Sequence, residues 1–285
     1  MASRRQVREA AVQYLYALAT SPENAGGPGF WELVNDRARL TYDRARVKTL
    51  SHLQQGREST AEKLHQFFID HATAILALDP SEKLARDLKA LAAAEMKWAE
   101  QAAHLLPLTK ANTGGWRREL DQLLLQSDPL RKNRAALVAR LEAFPALREK
   151  ALLDLVAKLD TYDQRARMVR FPENHPEQRD LDHLHKLRQE MDRLAEEARN
   201  LAEKVSACVE ELDTVINEAA TNFELGRLAR VDLAILRLAT WEILKRSDLE
   251  PAISIDEAVS LARDFSGEEA ASFVNGVLDR IARVA

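Results

Sequence analysis

A single cysteine, Cys208, stands in a chain of 285 residues. That excludes an internal disulfide and a cysteine-rich metal site, and it fits a reducing compartment. Glycine and proline are scarce as well, nine of each, together roughly half their usual share. So few chain breakers argue against a turn-rich β-sandwich or barrel. Long hydrophobic runs are missing too. The longest uncharged stretch, Ala10–Pro22, has 13 residues, where a membrane helix needs about 20. It follows Arg4, Arg5 and Arg8, as the apolar part of a secretory signal would. However, Val7, Ala11, Tyr14, Leu15 and Leu18 fall on one helical face and Gln13 interrupts the run. A signal segment has no such sidedness, so a cytoplasmic protein is expected. An excess of one charge is also lacking: the net charge is −4. Residues 1–20 are net +2, residues 21–220 carry 30 basic and 33 acidic side chains, and residues 221–285 carry 8 and 11. Any basic surface is therefore small and lies partly at the N-terminus.

What is present is helix-forming. The chain is 46% hydrophobic, mostly Ala and Leu, with only 6% aromatics and 30% charge. That composition supports a sizeable core inside a charged surface and predicts an all-α protein of about two domains. Residues 3–20 read as an amphipathic helix that opens with arginines. Ser21–Gly29 is a cluster of breakers. Helical segments are expected at about 30–54, 57–78, 80–106, 115–126 and 129–168. Asp79-Pro80 and Asp128-Pro129 each resemble an N-cap with proline at the first helical position. Loops are expected at 112–115 and 171–176. From Leu184 through Leu187, Met191, Leu194, Ala198, Leu201, Val205, Cys208, Leu212 and Val215 to Ala219, apolar residues alternate in steps of three and four. That seam predicts one helix near 40 residues, about 60 Å long, too long for a small bundle: either part of it projects as a docking arm, or, the reading favoured, it packs as a hairpin against the 80–106 segment. Ser254–Glu257 and Ser266–Glu269 have the spacing of capping boxes. Gly276, inside an apolar stretch, is expected to admit the close approach of another helix.

The usual catalytic signatures are absent: no Walker loop, GxGxxG, GxSxG or HExxH occurs. His183 and His185 are two apart and point to different helix faces. Cys208 lies on the heptad seam as a packing thiol. The carboxylates sit among lysines and arginines and read as solvated. These features predict a protein that is not an enzyme, with no cofactor and no metal.

The most specific text begins at Phe223. It runs Phe223-x-Leu225-x-Arg227-Leu228, Val231-Asp232 and Ala234-Ile235-Leu236-Arg237. It continues with Glu242, Lys245-Arg246-Ser247-Asp248, Ile255-x-Glu257-Ala258-Val259 and Phe273-Val274-Asn275-Gly276-Val277-Leu278-Asp279. With Arg4-Arg5, Arg8-Glu9 and Ala11-Val12-Gln13-x-Leu15-Tyr16 near the start, and with Asp213 and Ile216, it closely resembles the bacterial transcription antitermination factors of the NusB family. The resemblance covers residues 3–20 and about 205–285, in the family's order.

It implies a NusB-like helical bundle, formed by residues 1–24 and 200–285, interrupted by a long helical, coiled-coil-like insertion at 25–199. It also implies a binding function. Family members bind the single-stranded boxA leader RNA of ribosomal RNA operons together with NusE, a small-subunit ribosomal protein, in the RNA polymerase antitermination complex. Carried over position by position, Arg4, Arg5 and Arg8 are the expected RNA contacts, and Tyr16, Asp232 and Glu269 the expected NusE contacts. Arg237 is expected to tie to Asp232 or Glu242. Departures from the family pattern are Phe223 for a tryptophan, Ala252 for a lysine-like residue, and Ala271 and Ser272 where basic residues are frequent. Gln6 and Val7 thin the arginine cluster. A second reading is a helical interaction scaffold with a NusB fold that has lost specific RNA binding. A third, the NusB-like domain of an RNA cytosine methyltransferase, would require a nucleotide-binding domain, and none is evident in these residues.

Overall fold

The computed structural model describes residues 3–34, 36–110, 115–148, 150–220 and 225–284. Among them there is no strand, so the all-α expectation holds. No helix among the described residues is long and apolar enough to cross a membrane. Two compact units result, one of Met1–Arg39 with Arg188–Ala285, the other of Leu40–Leu187.

The first unit contains α1 (Arg4–Thr20), α2 (Pro28–Val34), most of α8 (Asp182–Ser206), α9 (Val209–Ala219), α10 (Arg230–Lys245), α11 (Pro251–Ser266) and α12 (Glu268–Val284). Helix α10 is its centre and packs against α1, α9, α11 and α12. Ile235, Leu236 and Leu238 of α10 are buried with Ala11, Val12 and Leu15 of α1, and with Val274, Val277 and Leu278 of α12. The unit is larger than the resemblance suggested, since it begins to part from the other at 39/40 and 187/188 instead of 24/25 and 199/200. Aromatic packing accounts for the extra residues. The Tyr14 ring lies 5.6 Å from both Phe30 and Trp31, and the Arg199 guanidinium stands 5.3 Å from the Trp31 ring. Gly26 permits this: its φ is +76°, and a Cβ there would stand 3.0 Å from the Tyr14 ring, so only glycine fits without strain.

The second unit is a ring of four helices, α4 (Arg57–Leu78), α5 (Lys83–Leu108), α6 (Trp116–Leu141) and α7 (Lys150–Arg170), each packed on the next and α7 back on α4. Helix α3 (Asp36–Leu53) leads into it. Three of the four have a buried heptad seam. On α5 it is Leu84, Leu88, Leu91, Glu95, Trp98, Ala102 and Leu105. On α6 it is Trp116, Leu120, Leu123, Ser127, Leu130, Arg134, Leu137 and Leu141. On α7 it is Leu152, Val156, Leu159, Asp163 and Ala166. Gly56, with φ +86°, turns α3 into α4, and a Cβ there would meet the Tyr162 hydroxyl at 2.8 Å.

Several local expectations are corrected. Helix α6 does not break at Asp128-Pro129; Pro129 lies inside it. A mid-helix proline costs about 3 kcal/mol, but here the buried seam continues on both sides of it. The break comes instead at 142–148, outside any helix but for a short 3₁₀ turn at Pro145–Leu147. Asp79 does cap α5, but from a distance: its carboxylate accepts from the Leu84 amide at 2.8 Å and from the Ser81 hydroxyl at 2.5 Å. The Ser81 bond is the main reason its pKa falls below the ordinary value. The long helix expected at 184–219 is two, separated at Ala207–Cys208. Its seam from Leu194 to Val205 belongs to the core of the first unit, not to a hairpin with 80–106.

Neither serine spacing is a capping box. Ser254 lies within α11, and Ser266 is its last residue; their hydroxyls donate to Glu242 and Asp232. Among the described residues a capping box is formed by Ser3 with Gln6, at the start of α1. Gly276 is exposed, and a Cβ there would meet nothing within 4 Å, so no helix approaches it. Phe223 and residues 112–114 lie outside the described residues.

Candidate nucleic-acid and partner interface

Helix α1 positions the N-terminal arginines. The Ser3 hydroxyl accepts from the Gln6 amide, and the Gln6 side chain accepts from the Ser3 amide. This satisfies two amides at the helix start and leaves α1 with no acidic residue in its first turn. Cations at this positive pole of the helix dipole are unfavourable by a few tenths of a kcal/mol each.

The three arginines separate. Arg4 is exposed. Arg5 is half-exposed, and its Nη2 donates to Asp264 Oδ2 at 2.8 Å. Arg8 is only 3% exposed, and its Nε donates to both carboxylate oxygens of Glu242 at 3.0 Å. Glu242 is itself 1% exposed and also accepts from the Ser254 hydroxyl at 2.8 Å. The expected grouping of Arg8 with a phosphate surface is thus replaced by a buried tie between α1, α10 and α11. Helical spacing carries the signal: Arg8 shares a face with Ala11, Val12 and Leu15, all buried. Near Arg4 and Arg5, Arg246 pairs with Asp248 at 2.6 Å. The Asp248 pKa is lowered, chiefly by that hydrogen bond, with a smaller contribution from Arg4. The edge therefore holds three arginines and two carboxylates that partly neutralise them.

The expected partner contacts also separate. Tyr16 is 43% exposed and Phe265 39%. Both line a groove of about 580 Å³ with Gln13, Phe30, Val34 and Val231. Asp232, next to Val231, is buried and accepts from the Ser266 hydroxyl at 2.6 Å. Glu269 is exposed in the first turn of α12 and does not line the groove. Arg237 pairs not with Asp232 or Glu242 but with Asp213, through two hydrogen bonds of 2.7 Å. Val277, Leu278 and Ile281 are core; Phe273 is half-buried beside them.

The NusB family model matches residues 148–283. Transcription antitermination protein NusB of Geobacter sulfurreducens is 48% identical over 73 residues, covering 26% of this chain and 53% of the relative. That of Sorangium cellulosum is 51% identical over 71 residues, covering 25% and 51%. That of Agathobacter rectalis is 44% identical over 90 residues, covering 30% and 69%. The chain spans about half the length of the first two of these relatives. No solved structure matches it. With a relative this similar over more than two thirds of its length, and with the α10–α12 motifs folded around one core, the chain belongs to the NusB family.

Proposed function

We propose that the protein is a transcription antitermination factor that binds single-stranded boxA-type RNA of ribosomal RNA operons together with NusE, as part of the RNA polymerase antitermination complex. The observation that carries this reading is the exposure of Arg4, with Arg5 half-exposed beside it, at the positive pole of a capped helix, a place suited to phosphate. Arg8 serves the site indirectly by holding α1 to α10 through Glu242. The groove beside Tyr16 is the docking place for NusE, with Glu269 exposed as an outer contact and Asp232 acting from below through Ser266 and the neighbouring Val231.

Titration of boxA-type RNA at several salt concentrations, with and without NusE, tests the reading. Two arginine contacts give a slope of about −1.4 in log K against log salt on a single strand. Affinity should then fall about 2.6-fold between 50 and 100 mM salt by the same relation. Arg4→Ala with Arg5→Ala should flatten the slope, and Tyr16→Asp should remove the gain from NusE while leaving the slope unchanged. RNA binding by the double arginine variant equal to that of the unaltered protein at every salt concentration would overturn the assignment of these residues.

The pairing of Arg5 with Asp264 favours the second reading, a NusB-fold scaffold without specific RNA binding, because a phosphate must displace that carboxylate. The two readings differ in what removing it does. On the RNA-binding reading, Asp264→Asn should raise RNA affinity about two- to fivefold at low salt, on the scale of an exposed pair. On the scaffold reading it should leave binding weak and indifferent to RNA sequence. A fluorescence anisotropy titration with boxA-type and scrambled RNA separates the two.

A further inference from the structure

At the centre of the second unit, four charged side chains meet, one from each helix of the ring. Arg57 of α4, Glu95 of α5, Arg134 of α6 and Asp163 of α7 are all buried. Arg57 pairs with Glu95 at 2.8 Å and with Asp163 at 2.9 Å. Arg134 pairs with the same two carboxylates and, through Nε, with Asp160 at 2.8 Å. Positive and negative charges thus alternate around a closed ring, and the Arg57 guanidinium lies 3.7 Å over the Trp98 ring. The Arg134 pKa is raised: burial acts to lower it, but Glu95 and Asp163 outweigh that, so the charge is retained.

The seams that surround this ring are otherwise repetitive. Their buried positions are mostly Leu and Ala, with Val, Ile, Phe and Trp among them, so sliding one helix pair past the other by a heptad, about 10.5 Å at 1.5 Å per residue, again places apolar side chains against apolar side chains. Each of the four helices, however, has a single Asp, Glu, Lys or Arg among its buried residues. The geometry points to a register lock: the tetrad fixes the α4–α5 pair against the α6–α7 pair in one axial alignment, and apolar packing does not.

A slip of one heptad keeps Arg57 with Glu95, and Arg134 with Asp163, because those partners move together. It breaks Arg57–Asp163 and Arg134–Glu95 and buries each half against leucine. Other links between the pairs do not discriminate in this way. The Trp98 indole donates to the Leu123 carbonyl, and the Gln54 amide to the Tyr162 carbonyl; carbonyls recur at every residue, so such bonds can re-form after a slip. The Arg140–Asp87 pair lies at the surface, where such pairs contribute little. A buried polar residue that selects register at some cost in stability is the best-attested role for such groups in helical bundles.

The test uses the full chain with Cys208→Ala and spin labels on cysteines at Glu100 of α5 and Arg131 of α6, both exposed. Pulsed electron-electron distances should show one population. With Arg57→Met, Glu95→Leu, Arg134→Met and Asp163→Leu together, the helices should persist and a second, displaced population should appear. Two half-replacements isolate register from charge. Keeping only Glu95 and Arg134, a pair that spans the two helix pairs, should preserve one population. Keeping only Arg57 and Glu95, which lie in the same helix pair, should show two. A single unshifted population in every variant would overturn the proposal. Loss of the cooperative helical fold in the fully apolar variant would overturn it as well, since the tetrad would then be needed for stability and not for alignment.

Discussion

Replacing Arg134 alone by methionine should destabilise the second unit by about 3–5 kcal/mol. The side chain is fully buried and has three carboxylate partners, of which Glu95 and Asp163 are buried too. Methionine restores the aliphatic volume and leaves those two carboxylates to share Arg57. One negative charge is then uncompensated in a medium that solvates it poorly, and desolvation outweighs the packing that remains. Arg140→Met, which removes the surface pair with Asp87, should by contrast cost about 1 kcal/mol or less, the upper end for exposed pairs. Because the chain has two units, one thermal midpoint would mix them. Hydrogen exchange of amides in α4–α7 in urea reads the second unit by itself. Equal exchange in the two variants would show that Arg134 is not the centre of a charge network.

The second large effect is expected in the first unit. Glu242→Leu should cost about 3–5 kcal/mol, because it leaves the Arg8 guanidinium buried without its carboxylate and the Ser254 hydroxyl without its acceptor. Arg246, at 4.0 Å from Glu242 the other cation nearby, cannot stand in for the lost carboxylate. Arg8→Met leaves the opposite charge behind and should be similarly harmful. The double variant should be much less destabilised than the sum of the singles, since both buried charges go together. Urea denaturation of all four proteins closes the cycle, and simple additivity would dissolve the tie. The same set decides what Arg8 does for RNA. At a temperature where Arg8→Met is still folded, its salt slope should equal that of the unaltered protein. A flattened slope would return Arg8 to the group of phosphate contacts.

Much of the helical content could be read along the chain, because helical periodicity is local. The α4 range, the amphipathic start, the breakers at 21–29 and the seam from 184 onward all rest on residues three or four apart. The NusB motifs were legible for the same reason, as short runs in order. The buried charges followed the same periodicity and could have been found by it: Glu95 falls between Leu91 and Trp98, and Arg134 between Leu130 and Leu137, in steps of three and four. Glu95 read as solvated because Lys97 stands two residues on.

Where α6 continues past a proline, where the 184–219 seam divides, and which unit takes α2 depend on burial against distant segments. So does the separation of Arg4, Arg5 and Arg8, identical in type and within five residues of one another. The partners of Arg8 and Arg134 lie 234 and 39 residues away. The sequence by itself determined an all-helical chain with NusB motifs and a charged N-terminus. Only the tertiary structure decided which of those charges face water, because the cost of burying an ion depends on a counter-ion that packing brings near and that local spacing does not reveal.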